Sequence, residues 1–268
     1  MHRTLFSPTM IETFRTCRRA YDLAFIQGAA EKNPERLAVI CKHFILRALA
    51  QINKGKITTI TQVQKYMGQY WPLEAVTAVG REKDQATRAF LHVYKTLLHY
   101  VDNPYKPEGA QVVGAALKVR ARVPHVRVYV EDTLDLVLWY PERRQLEFVD
   151  FQIQQTKAFD PAWPSAELLV KKFLADRLKT RWPFEWLAIT SQRVGASEYA
   201  PVNLNIEETT FRLHWRELVH NLEQLKEFES SEYKDYGSHP QGSCRHCQRL
   251  EGRSGQVCLE ETGISLTA

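Results

Sequence analysis

The chain of 268 residues lacks any apolar run near the ~18 residues that a membrane-spanning helix needs. Met1-His2-Arg3-Thr4 leads into no apolar stretch of the kind that marks a secretory signal. Internal repeats, low-complexity tracts and a helicase-type phosphate loop are missing as well. These absences argue against a membrane span, a repeat array and a built-in motor, and they make the cytoplasm the expected location. An excess of one charge is also lacking, since 36 Lys+Arg against 31 Asp+Glu leave +5. That balance permits a polyanionic partner without requiring one. With 44% hydrophobic and 25% charged residues the composition is that of an ordinary globular chain, which excludes a mainly disordered or collagen-like one. The length alone allows one large domain or two small ones.

Cysteines are few and odd in number: Cys17, Cys41, Cys244, Cys247 and Cys258. An extracellular disulfide framework is therefore not expected. Cys41, beside Val39 and Ile40, reads as core. The last three sit in a polar loop, and Cys244-Arg245-His246-Cys247 has the two-residue gap of a metal-binding knuckle. They read as ligands of a metal or cluster.

The first third reads as helical. Ser7-Pro8 is a start signal, and Met10, Phe14, Cys17, Tyr21 and Phe25 recur at three- and four-residue steps, which predicts one helix over 8–26. Further helices are expected at 35–52, after a cap at Thr61, and at 82–101. From 111 to 153 the pattern is β-rich, in short runs at 112–113, 117–123, 126–130, 134–139 and 146–153. A helix at 164–180, strands near 184–191 and 198–205, and a helix at 207–230 follow. The expected fold class is α/β.

Two acidic residues stand inside this β-rich region. Asp135 opens one apolar run and Asp150 interrupts the next. An ionised carboxylate in a buried strand is costly unless it is paired or bound to a cation. The two either converge on one divalent metal, which hard oxygen ligands suit, or each caps a turn or pairs with an arginine. Cations are patterned too. Lys118, Arg120 and Arg122 alternate with Val119, Ala121 and Val123, which puts all three on one face of a strand. Arg18 and Arg19 flank Cys17, and Lys171 and Lys172 belong to the helix after the acidic runs. Such groups bind phosphates without reading sequence.

Taken in order, these features resemble the RecB-like branch of the PD-(D/E)XK nuclease superfamily, in particular its iron–sulfur members: AddB-type nuclease domains and CRISPR-associated RecB-like exonucleases. The segment Ser7 to Tyr21, with Cys17, Arg18, Arg19 and Tyr21, resembles the opening helix. His43 in Val39-Ile40-Cys41-Lys42-His43-Phe44 resembles the helical histidine. Leu134-Asp135-Leu136-Val137 and Phe148-Val149-Asp150-Phe151 resemble the two acidic strands, and Cys244, Cys247 and Cys258 the C-terminal cluster loop.

The resemblance implies a single restriction-endonuclease-like PD-(D/E)XK domain over 1–268. Within it, 34–108 is a helical insertion, 110–206 the nuclease-like core and 236–260 the metal-cluster loop. It implies Mg²⁺ or Mn²⁺ held by His43, Asp135 and Asp150. It also implies a 4Fe–4S cluster held by Cys17, Cys244, Cys247 and Cys258, with zinc as the competing metal. The expected partner is DNA, single-stranded or at ends, contacted by Arg18, Arg19, Lys118, Arg120, Arg122, Lys171 and Lys172, and any helicase is a separate chain.

Three departures bear on activity. Gln152 stands where the family has its lysine, and glutamine carries no positive charge. Asp132 stands where a glycine usually precedes the first acid, and Glu167 to Phe173 does not carry the family's glutamine-to-tyrosine motif. Lys157, Lys171 and Lys172 are the nearby lysines that a relocated role could use. The expectation is DNA binding or processing with weakened or lost cleavage at Asp135, Asp150 and Gln152. The alternatives are an active metal-dependent deoxyribonuclease with a relocated lysine, and a zinc-stabilised protein-interaction domain.

Overall fold

The computed structural model describes residues 4–28, 37–79, 83–153, 164–195, 197 and 199–231. Their core is a mixed six-stranded sheet covered by helices on both faces, an α/β architecture. The strands are β1 (Leu5–Phe6), β2 (Gln111–Val123), β3 (Val128–Tyr140), β4 (Gln145–Gln152), β5 (Trp186–Arg193) and β6 (Val202–Asn203). The helices are α1 (Pro8–Thr16), α2 (Arg18–Tyr21), α3 (Leu37–Asn53), α4 (Ile60–Tyr70), α5 (Leu73–Val79), α6 (Lys83–Asp102), α7 (Ala166–Asp176) and α8 (Glu208–Ser230).

The opening helix divides where one was expected to run through. Ser7 caps α1, with its side chain accepting the Met10 N–H, but Cys17 adopts an extended backbone (φ −162°, ψ 110°). There it ends α1 and starts α2, and its Sγ accepts the Ala20 N–H at 3.3 Å. A π-helical turn, Asp22–Ile26, follows. The cap of α4 is Thr59 rather than Thr61: its hydroxyl accepts the Gln62 N–H while the Gln62 side chain reaches back to the Thr59 N–H. This reciprocal pair is a capping box.

The expected strand fragments join into long strands. The runs at 112–113 and 117–123 are one strand, as are those at 126–130 and 134–139, because tight turns fall only at 124–127 and 141–144. β3 is the axis of the sheet. Along one edge it pairs antiparallel with β2 from Gln111↔Trp139 to Val123↔Val128. Along the other it pairs first with β1, parallel at Tyr129 and Val130, and then with β4, antiparallel from Leu136↔Val149 to Tyr140↔Gln145. Between these partners, Glu131 to Asp135 meet no strand on that edge among the described residues.

The side-chain alternation slips at the same level. In β3, Val128, Val130 and Leu134 face the layer of α1, α7 and α8, whereas Leu136, Leu138 and Tyr140 face the layer of α3, α4 and α6. Val137 returns to the first layer, so the even positions change face between Leu134 and Leu136. On β2, Ala116 has φ +50°, a left-handed conformation that breaks a pleat. Two apolar clusters result, one under each helical layer, with Phe6, Phe148 and Leu146 buried on one side and Ile45, Leu49 and Leu136 on the other.

Candidate functional site

β4 alternates without interruption. Leu146 and Phe148 pack under α7, Val149 and Phe151 pack under the opposite layer, and Asp150 and Gln152 therefore join the α7 side. On β3 the slip delivers Asp135 to that same side, where its Oδ2 accepts the Phe151 N–H at 3.0 Å. Asp132 lies one turn of the pleat earlier, with Oδ1 accepting the Thr133 N–H at 2.8 Å and Oδ2 buried without a hydrogen-bond partner.

The cation facing these acids comes from α7. Ser165 caps that helix, and its sequence is apolar nearly all round, so Lys171 is buried with its neighbours at 4% exposure. Its Nζ reaches Asp150 Oδ1 at 2.5 Å and Glu167 Oε1, one helical turn back, at 2.7 Å. Gln152 Nε2 donates to the second oxygen of Asp150. Asp150 is thus held by an ammonium on one oxygen and an amide on the other.

Among the described residues the charges do not balance. Asp132, Asp135, Asp150 and Glu167 all act on the one ammonium of Lys171, and together they hold it well above the ordinary lysine range despite its burial. Burial pushes the Asp135 carboxyl up to about 6, opposed by Lys171 and reinforced by Asp150. Burial likewise lifts Asp132 to about 6, again opposed by Lys171 and reinforced by Glu167 and Asp150. Two carboxyls in this position call for a proton or a further cation.

Hard carboxylate oxygens with an orphaned Asp132 Oδ2 fit Mg²⁺ or Mn²⁺ in that role. No three His, Cys, Asp or Glu side chains among the described residues form a complete ligand set. Two carboxylates are nevertheless a normal protein share for Mg²⁺, which keeps several waters and takes substrate phosphate oxygens. His43 is exposed on α3, the layer packed against the other face of the sheet.

The other expected residues divide by location. Asp135, Asp150 and Gln152 lie together on the α7 side of the sheet. Lys171 is buried among acids, and Lys172, 14% exposed at its side chain, lies near Asp176 and Glu208 and over the Phe211 ring. Lys118, Arg120 and Arg122 are exposed on β2. Arg18, half-buried on α2 beside Arg19, lies over Phe14 and donates to Gln224. Cys17 is buried at the α1–α2 break, while Cys244, Cys247, Cys258 and Lys157 lie outside the described residues.

A second buried polar cluster went unforeseen. On the opposite face of β4, Glu147 accepts hydrogen bonds from Tyr105 (2.9 Å), Tyr140 (2.5 Å) and the Thr190 hydroxyl. The only signal was a glutamate on the inward-facing phase of an apolar strand, Leu146-Glu147-Phe148-Val149. No protein-family model matches the chain, and no curated protein matches it by sequence.

Proposed function

We propose that this chain is a DNA-processing protein of the RecB-like PD-(D/E)XK kind, in which Lys171 takes the part of the lysine missing at position 152. The observation that carries this reading is the ammonium of Lys171 on Asp150 within a group of four carboxylates. Asp135 and Asp150 would hold Mg²⁺ or Mn²⁺, with Asp132 alongside. When bound, such an ion supplies positive charge to a scissile phosphate and lowers the pKa of a water. Lys171 keeps a fixed cation beside Asp150, positioned to stabilise negative charge developing on phosphoryl oxygens. Gln152 orients Asp150 through its second oxygen. A helicase, where one takes part, is a separate partner.

The resemblance extends this proposal to a 4Fe–4S cluster on Cys17, Cys244, Cys247 and Cys258. A buried Cys17 whose sulfur accepts a main-chain N–H suits a thiolate ligand. Anaerobically purified protein is expected to be brown with broad visible absorbance; a colourless protein with stoichiometric zinc would replace iron–sulfur by zinc.

The test of the acidic centre is cleavage of single-stranded DNA with Mn²⁺ by protein whose cluster is intact. Wild type should cleave, and Asp150→Ala and Lys171→Met should each abolish cleavage. A second reading, binding without hydrolysis, draws on the engagement of both Asp150 oxygens by protein groups. Wild type inert and Gln152→Lys active would select it.

A further inference from the structure

Lys171 has two anchors that differ in kind. Its Nζ donates to Asp150 Oδ1 at 2.5 Å and to Glu167 Oε1 at 2.7 Å. The Asp150 side chain is 14% exposed, and Gln152 holds its second oxygen. The Glu167 side chain is 54% exposed and stands at the mouth of the centre. The bond to Asp150 ties α7 to β4, whereas Glu167 and Lys171 are i,i+4 neighbours on α7 itself. Such a pair forms within one helix and needs no other element to make it. Among the described residues Glu167 pairs with no cation except Lys171.

The difference between the anchors matters because of what the centre must admit. Both Asp150 oxygens are already held by protein donors. An ammonium and a divalent cation at one carboxylate repel each other. With the Lys171 side chain only 5% exposed, water screens that repulsion little. A cation at Asp135 and Asp150 therefore has to loosen the bond between Lys171 and Asp150. A displaced ammonium without a partner would be a buried, uncompensated charge, which is costly. Glu167 is that partner, already in contact and on the same helix.

We infer that Glu167 is a positioning residue of the acidic centre, which retains the Lys171 ammonium when a divalent cation takes its place on Asp150. Lys171 is then the occupant of the metal-free centre and the competitor of the metal. Loading requires enough metal to displace the lysine, and the ammonium stays beside the acids once displaced. The inference rests on the function proposed above and deepens it by giving the site a regulation, control of metal loading by its own lysine.

The experiment measures Mn²⁺ binding to the full-length protein without DNA, from the paramagnetic resonance signal of unbound Mn²⁺. The proteins are wild type, Lys171→Met, Glu167→Gln and the double variant. Lys171→Met should bind Mn²⁺ at least about tenfold more tightly than wild type, while still failing to cleave. Glu167→Gln should weaken binding at least about fivefold in the wild-type background. In the Lys171→Met background the same change should matter less than about twofold, because its effect runs through the ammonium. An equal loss in both backgrounds would make Glu167 a ligand or a plain anion and overturn the inference. Unchanged affinity in Lys171→Met would overturn it as well. A readout without any Lys171 variant is the ¹⁵Nζ resonance of Lys171 in lysine-labelled wild type. It should shift saturably with Mg²⁺, and a signal unmoved by saturating Mg²⁺ would again overturn the inference. Absence of Mn²⁺ binding in all four proteins would instead overturn the metal centre of the proposed function, and this inference with it.

Discussion

The Asp135 carboxylate takes the place of a strand. After the last β3–β4 pair, Leu136↔Val149, the strands separate, and the N–H of Phe151 is met at 3.0 Å by Asp135 Oδ2 instead of a main-chain carbonyl. One side chain both closes the gap in the sheet and supplies an anion to the acidic centre. The two roles can be separated by substitution. Asp135→Asn keeps a carbonyl acceptor for Phe151 and should leave the metal-free protein at least as stable as wild type at neutral pH while removing metal-dependent cleavage. Asp135→Ala orphans a buried N–H and should cost about 1–3 kcal/mol in urea denaturation.

Lys171 is the hinge of the electrostatics. At 4% exposure it is, among the described residues, the one ammonium acting on four carboxylates. Lys171→Met leaves those anions uncompensated and should destabilise the metal-free protein by about 3–5 kcal/mol at neutral pH. Adding Mn²⁺ should restore part of that loss, because a cation bound only by the folded state stabilises it. Thermal melting of the variant with EDTA and with Mn²⁺ checks both statements.

Asp132 has a sign that can be worked out. Burial lifts its carboxyl from 3.8 to about 6 in the folded protein. Between those values the folded state holds more protons than the unfolded one, so stability falls as pH rises through this window and stays lower above it. Asp132→Asn in EDTA should therefore be more stable than wild type at pH 7, by about 1–2 kcal/mol. Near pH 4 that advantage should disappear. Chemical denaturation at several pH values between them measures it.

The Glu147 cluster is expected to act on stability. Burial and the adjoining carboxylate raise the Tyr105 and Tyr140 phenols well above the ordinary tyrosine range. Neither should ionise until alkaline unfolding, which ultraviolet difference spectra of tyrosinate will show. Tyr140→Phe removes one of three donors to Glu147 and should cost about 1–2 kcal/mol. Cleavage should be unaffected, since Glu147 belongs to the face of β4 opposite Asp150.

How much of this was legible beforehand depended on how far the cause lay along the chain. Helices α3, α6 and α8 were readable because a 3.6-residue apolar period is local, and β4 because its alternation is. The break at Cys17 was not, since its extended backbone is fixed by a cap that competes with an otherwise continuous helical period. Asp135 and Asp150 stood out as acids in apolar strands, and the structure places both on the α7 side of the sheet. Lys171 was only one of three candidate lysines. Its burial arises because α7 packs against β3, β2, α1 and α8, which no local pattern announces.

The sequence by itself determined the α/β class, the acidic strand positions and the alternating cations of β2. Those are properties of residue type and short-range period. The tertiary structure decided which lysine meets Asp150, that Asp132 joins the acids, and that the cationic face of β2 lies open. The slip in alternation at Ala116 and Leu134–Asp135 puts Asp132 and Asp135 on one face, while the packing of α7 brings Lys171 to Asp150. A slip of one residue turns side chains to the other face of a sheet. Which face a helix then covers is settled only when the layers pack.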